Sequence, residues 1–173
     1  MLLRIGNRFA EGGFADLFNS ADGRTVYKLF RRFRADPEGN GVRALFEAES
    51  AAYRRAHEHE ELRAHVPTFH GTATIQDVTA QDGSSISKRY HLPCCYGLER
   101  LPGEGRKYGW LPKEVQPAAE ALAERFEAAG INHVRDGDFF GWQNPSSMVL
   151  VDIATYDVVA ALPHPFLERS SGA

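Results

Sequence analysis

Along the first part of the chain, apolar residues come in short, strand-length runs: Leu2 to Phe9, Phe14 to Phe18 and Thr25 to Phe30, parted by Gly12-Gly13 and by Asp22-Gly23. Runs of this length with turn residues between them predict a three-stranded antiparallel meander. From Gly41 the period changes. In VRALFEAESAAYRRAHEHEELRA, Val42, Leu45, Phe46, Ala52 and Tyr53 fall on roughly one stripe with charge opposite, which predicts an amphipathic helix ended by Pro67. Phe69 to Ile75 and Arg89 to Leu101 predict two more strands, joined by the polar QDGSSIS, for a sheet of five. After the Gly-rich LPGEGRKYGW, the spacing of Val115, Ala119, Leu122 and Phe126 predicts a second helix, regular from Pro117 and capped at Gly130. The stretch GINHVRDGDFFGWQNPSSMVLVDIATYD sets the turn NPSS between two short apolar runs, and PHPFLERSSGA reads as a frayed tail.

Composition narrows the class. The 173 residues are 43% hydrophobic and 25% charged with a net charge of -3, ordinary values for a globular chain long enough to bury a core as one unit or as two lobes. That charge gives no reason to expect nucleic acid or an anionic membrane as partner, although a local basic patch is compatible with it. The only cysteines are the adjacent Cys94 and Cys95, which point to opposite faces of a strand, so a disulfide scaffold is excluded. The opening MLLRI is broken by Arg4 and Asn7, and no run approaches the roughly 18 apolar residues of a membrane span. The expected setting is a reducing cytosol, either the producing cell's own or, for a secreted effector, a host cell's.

Strand, Gly-rich turn, strand, hairpin, a strand carrying lysine, then a helix with glutamate: in this order the chain resembles the nucleotide-binding small lobe of the protein-kinase-like fold. AEGGFADLF is similar to the kinase Gly-rich loop, with Gly12 kept and Gly13 beside it, Phe14 at the aromatic tip and Leu17 where an apolar residue covers the base, while Ala10 and Ala15 stand for two of its glycines. Such a loop avoids bulk because backbone N-H groups must come close to phosphates. VYKLF resembles the third-strand lysine motif and implies that Lys28 contacts the α- and β-phosphates. EAESAAY implies Glu49 as the partner of Lys28, whereas Glu47 projects about 200° away and faces solvent. GLERLPGE looks like the hinge, which implies Leu98 at the back of the pocket and adenine read by the Glu99 carbonyl and the Leu101 amide.

MVLVDIA looks like the strand end that holds magnesium, through Asp152, and GINHVRD looks like the catalytic loop. Here the spacing departs from the family: Asp136 is eight positions before Asn144 and Asp138 six, where kinases have five. Asp136 follows an arginine as the catalytic aspartate does, and is the expected aligner of the acceptor hydroxyl. Asp138 is the alternative, or a metal ligand in place of a misplaced asparagine, and Asn144 is the candidate second ligand. His133 is read as a brace of this loop. His57 and His59, two apart on a helix, cannot both face one metal.

The resemblance implies an α+β fold: a five-stranded antiparallel small lobe with one helix over residues 1–101, and a reduced helical large lobe with a short β-hairpin over 102–173. The chain looks like a minimal kinase, similar to the compact effector kinases that some bacteria deliver into host cells. The implied activity is phosphate transfer from ATP with Mg2+ or Mn2+, most simply to serine or threonine of a protein. A small-molecule kinase of the same fold and a pseudokinase binding module are the alternatives, and the pattern sets no oligomeric state.

Overall fold

The structure, a computed structural model, describes residues 2–6 and 8–155. It is α+β, and the chain divides into two compact units. Among the described residues, one unit holds the chain up to Glu47 together with Phe69–Arg100, and the other holds Ala48–Thr68 and the chain from Leu101 onward. The chain passes from the first unit to the second between Arg100 and Leu101, and Ala48–Thr68 also belongs to the second. The tail expected to fray, PHPFLERSSGA at 163–173, lies outside the described residues.

In the first unit six strands, β1 (Leu2–Ile5), β2 (Arg8–Glu11), β3 (Ala15–Asn19), β4 (Thr25–Arg31), β5 (Phe69–Val78) and β6 (Tyr90–Glu99), form one sheet in the order β1-β5-β6-β4-β3-β2. The expectation of five antiparallel strands is corrected on both counts, because the run Leu2 to Phe9 splits and β1 pairs parallel with β5. Close backbone passage explains the split. Thr79 donates its N-H to the Ile5 carbonyl at 2.9 Å, and a Cβ on Gly6 would stand 2.7 Å from Thr79 Oγ1, so the chain needs glycine to leave β5 here. β1 and β2 then lie on opposite edges of the sheet although a link of only about 10 Å joins them, which forces the sheet to curl.

The curl has two apolar faces. Inside it Ile5, Phe18, Leu29, Ile75, Val78, Tyr90 and Cys95 form a closed cluster. On the other face Phe30 meets Phe46 edge-on at 5.9 Å between centroids, and Tyr96 packs against Phe30, Phe46 and Phe69. Phe46 comes from α1 (Asn40–Glu58), whose start is fixed by the Asp36 carboxylate accepting from the N-H groups of Asn40 and Val42 at 2.9 and 3.0 Å. Those donors have no partner within the helix, so an acceptor at this place stabilises it.

The helix expected to run to Pro67 breaks at His59, and a short α2 (Glu60–Arg63) follows. An unbroken helix would turn Leu62 about 180° away from Tyr53; the break brings Leu62 to 1% exposure, and Tyr53 is fully buried. In the same unit α3 (Gln116–Ala128) buries Ala119, Leu122, Ala123 and Phe126. Its end is the expected one: Gly130 has φ +76°, its N-H reaches the Glu127 carbonyl and that of Ile131 reaches Phe126, both orphan carbonyls of the last turn. The expected hairpin is present as β8 (Asp138–Phe140) and β9 (Val149–Val151), with β7 (Arg106–Lys107) added beside β8. No helix among the described residues is long and apolar enough to cross a membrane.

Candidate functional site

Within the first unit, Leu17, Lys28 and Tyr96 lie directly opposite one another across β3, β4 and β6, and Val26 lies opposite Leu98. Side chains two apart share a face, so Leu17, Val26, Lys28 and Leu98 share one, the face that also carries Phe30. The Lys28 ammonium stands 5.6 Å from the Phe30 ring centroid. A lysine set among apolar neighbours is held in reach of an anion without being drowned in solvent. Glu99 lies opposite Thr25 near the end of β6 and is exposed.

Gly12 and Gly13 make the turn between β2 and β3. Gly12 donates to the Ala15 carbonyl at 2.9 Å, and a Cβ on it would meet that oxygen at 2.9 Å, so only glycine fits; Gly13 has nothing within 4 Å of where a Cβ would be. Sequence reasoning missed what holds this turn. Arg31 binds the carbonyls of both glycines and, at 2.8 Å, the Glu11 carboxylate. Beneath it Asp16, 1% exposed, accepts from the Tyr90 hydroxyl at 2.6 Å and from Arg8 at 3.3 Å. Burial, together with this carboxylate, pushes the Tyr90 phenol up to about 12, so it remains a donor through the physiological range.

In the second unit Asp152 follows β9 and is the only non-glycine among the described residues with positive φ, at 64°. That backbone costs free energy for a residue other than glycine, least for Asp and Asn, and such costs gather at working sites. Its N-H donates to the hydroxyl of buried Tyr53 at 3.1 Å. Tyr53 lies one turn beyond Glu49 on the same stripe of α1; Glu49 is 5% exposed while Glu47 faces solvent. The role of Tyr53 was not read from the sequence, although its four-residue spacing from Glu49 is a visible signal.

Lys107, from the stretch read only as Gly-rich, gathers the remaining groups. Its ammonium is 3.1 Å from the Asp138 carboxylate and 4.0 Å from that of Asp152, and it donates to the Asp136 carbonyl at 2.5 Å. Asp136 and Asp138 differ in setting. Asp138 is paired with Val151 in the hairpin, whereas the Asp136 side chain is 81% exposed in a turn, 3.5 Å from His133 Nε2. His133 itself exchanges backbone hydrogen bonds with Ala154, so it braces this turn against the segment that carries Asp152. A Cβ on Gly137 would meet the Val151 carbonyl at 2.5 Å, which keeps the two segments in close contact. Arg135 pairs with Glu120 and Glu127 of α3 and draws the Glu120 carboxyl below its ordinary range.

Asn144 is at the closed end of the hairpin and Asp152 at the open end. Its side-chain oxygen accepts from Ser146 at 2.8 Å, which occupies it within its own turn. Leu101 is half-buried in the second unit. Among the described residues no group of three or more His, Cys, Asp or Glu side chains could enclose a metal. Two carboxylates on one ammonium remain, an oxygen set that suits magnesium, which keeps most of its waters and takes one or two protein carboxylates. No known protein-family model matches the chain, and no curated protein matches it either.

Proposed function

We propose that this chain is an ATP- and Mg2+-dependent phosphotransferase of the protein-kinase-like kind, acting on serine or threonine of a protein substrate. The observation that carries the reading is the pair Asp138 and Asp152, converging on Lys107 beside a strained backbone held by Tyr53. Two carboxylates that share one ammonium are also two oxygen ligands for a divalent cation that displaces it. In this reading Asp152 and Asp138 hold magnesium, and Asn144 is not needed. Magnesium held by Asp152 and Asp138 would offset the negative charge that develops on the phosphates during transfer.

Lys28 takes the α- and β-phosphates, the Gly12-Gly13 turn offers backbone N-H groups, and Leu17, Val26 and Leu98 offer an apolar face to the base. The exposed Asp136 aligns the acceptor hydroxyl and takes its proton as the new P–O bond forms and ADP leaves. Adenine recognition by the Glu99 carbonyl and the Leu101 amide is part of the same proposal. A second reading, a nucleotide-binding module that transfers nothing, is favoured by one observation: Lys107 already neutralises the carboxylate pair where a metal would act. Incubation with γ-labelled ATP, magnesium and a cell lysate separates the readings. Label on protein is the expected outcome, label on a metabolite points to a small-molecule kinase, and no transfer despite measurable ATP binding favours the module.

A further inference from the structure

We propose that Arg31 is a positioning residue that sets the direction of the Gly12 and Gly13 peptides, so that the turn presents two successive N-H groups to the phosphates of the nucleotide. The inference rests on the nucleotide reading of this turn. Arg31 is three residues beyond Lys28 on β4. Its Nη2 donates to the carbonyls of both Gly12 and Gly13, the latter at 2.9 Å, its Nη1 donates to Glu11 Oε1 at 2.8 Å, and its own N-H donates to the Phe14 carbonyl at 2.9 Å.

In a trans peptide the C=O and the following N-H point in opposite directions. Two successive carbonyls drawn to one guanidinium therefore send the N-H groups of Gly13 and Phe14 away from it, side by side. Successive N-H groups on one side of a turn are the arrangement that cradles an anion. Glycine makes these peptides free to rotate, so without a clamp the direction would be one of several; the arginine selects it. The remaining contacts fix the clamp. Arg31 Nε lies 3.7 Å from Oδ1 of the buried Asp16, and the Phe14 ring packs edge-on to Phe33 at 5.9 Å. Only a planar fork spans two carbonyls and a carboxylate at once, so lysine is not equivalent here.

The test compares the parent with Arg31→Met, Arg31→Lys and Glu11→Gln. Affinities for ATP and for adenosine are measured with magnesium, and the 15N–1H amide signals of Gly13 and Phe14 are recorded without ligand. Expected are a loss of ATP affinity of about tenfold or more in Arg31→Met, no rescue by Arg31→Lys, and an adenosine affinity that stays the same, because only phosphate contacts are disturbed. Glu11→Gln removes one exposed anchor of the guanidinium and is expected to weaken ATP by only about twofold. Arg31→Lys keeps a charge beside Asp16 and serves if the methionine variant does not fold. Parental ATP affinity in both Arg31 variants overturns the proposal. So does tighter ATP binding by Glu11→Gln, which would mean that a released Arg31 grips phosphate directly. If the parent binds no ATP, the nucleotide reading fails by itself, and the amide signals then decide the clamp: displaced Gly13 and Phe14 signals in both Arg31 variants support it, and unmoved signals overturn it.

Discussion

Lys28→Ala is expected to yield a folded protein whose phosphate transfer is lower by about 100-fold or more, the effect of losing one preorganised charge contact to a phosphate. The fold should survive because Lys28 is only half-buried, and the core contacts on its face, Phe30 with Phe46 and Tyr96, do not depend on it. Lys28→Met, which keeps the apolar stem against Leu17 and Tyr96, separates lost charge from lost packing. Transfer rates and melting temperatures of the two variants check this. Unchanged transfer by a folded Lys28→Ala protein removes Lys28 from the site.

Asp136 and Asp138 should fail in different ways. An aspartate that only aligns the acceptor hydroxyl acts in the transition state, so Asp136→Ala is expected to bind MgATP like the parent and to transfer nothing measurable. Asp138→Ala removes one of two carboxylates from the metal and is expected to lose transfer in low magnesium and regain part of it in high magnesium or manganese. The difference in setting motivates the split: Asp136 is 81% exposed in a turn, and Asp138 is turned toward Lys107 at 3.1 Å. Kinetics across a metal titration read it. An Asp138→Ala protein dead at every metal concentration, beside an active Asp136→Ala protein, would exchange the two roles.

Much of the fold is legible from rhythm alone, since β3, β4, β6 and the capped α3 follow directly from apolar spacing and turn residues. The same reasoning places Glu49 inward and Glu47 outward on α1, as their burial bears out. The split of the first strand was not legible, because both halves have strand character and what divides them is Thr79, more than 70 residues away. The break at His59 likewise answers to the burial of Leu62, a demand of packing that leaves no local mark. In the candidate site, the residues with motif-like surroundings, Lys28 and Asp152, were visible. Arg31, Asp16, Tyr53 and Lys107 were not, for each acts through a partner distant in sequence: Arg31 on a glycine turn, Tyr53 on a backbone N-H 99 positions on, Lys107 on three aspartates.

Calorimetric titration of ATP into the parent and into Asp152→Asn, each with and without magnesium, tests the carboxylate pair most directly. Asparagine tolerates the left-handed backbone at this position almost as well as aspartate and leaves the N-H on Tyr53, so the substitution removes charge and little else. The account predicts that magnesium tightens ATP binding to the parent and that this dependence disappears in Asp152→Asn, with metal-free binding unchanged. Equal dependence on magnesium in the two proteins would contradict it.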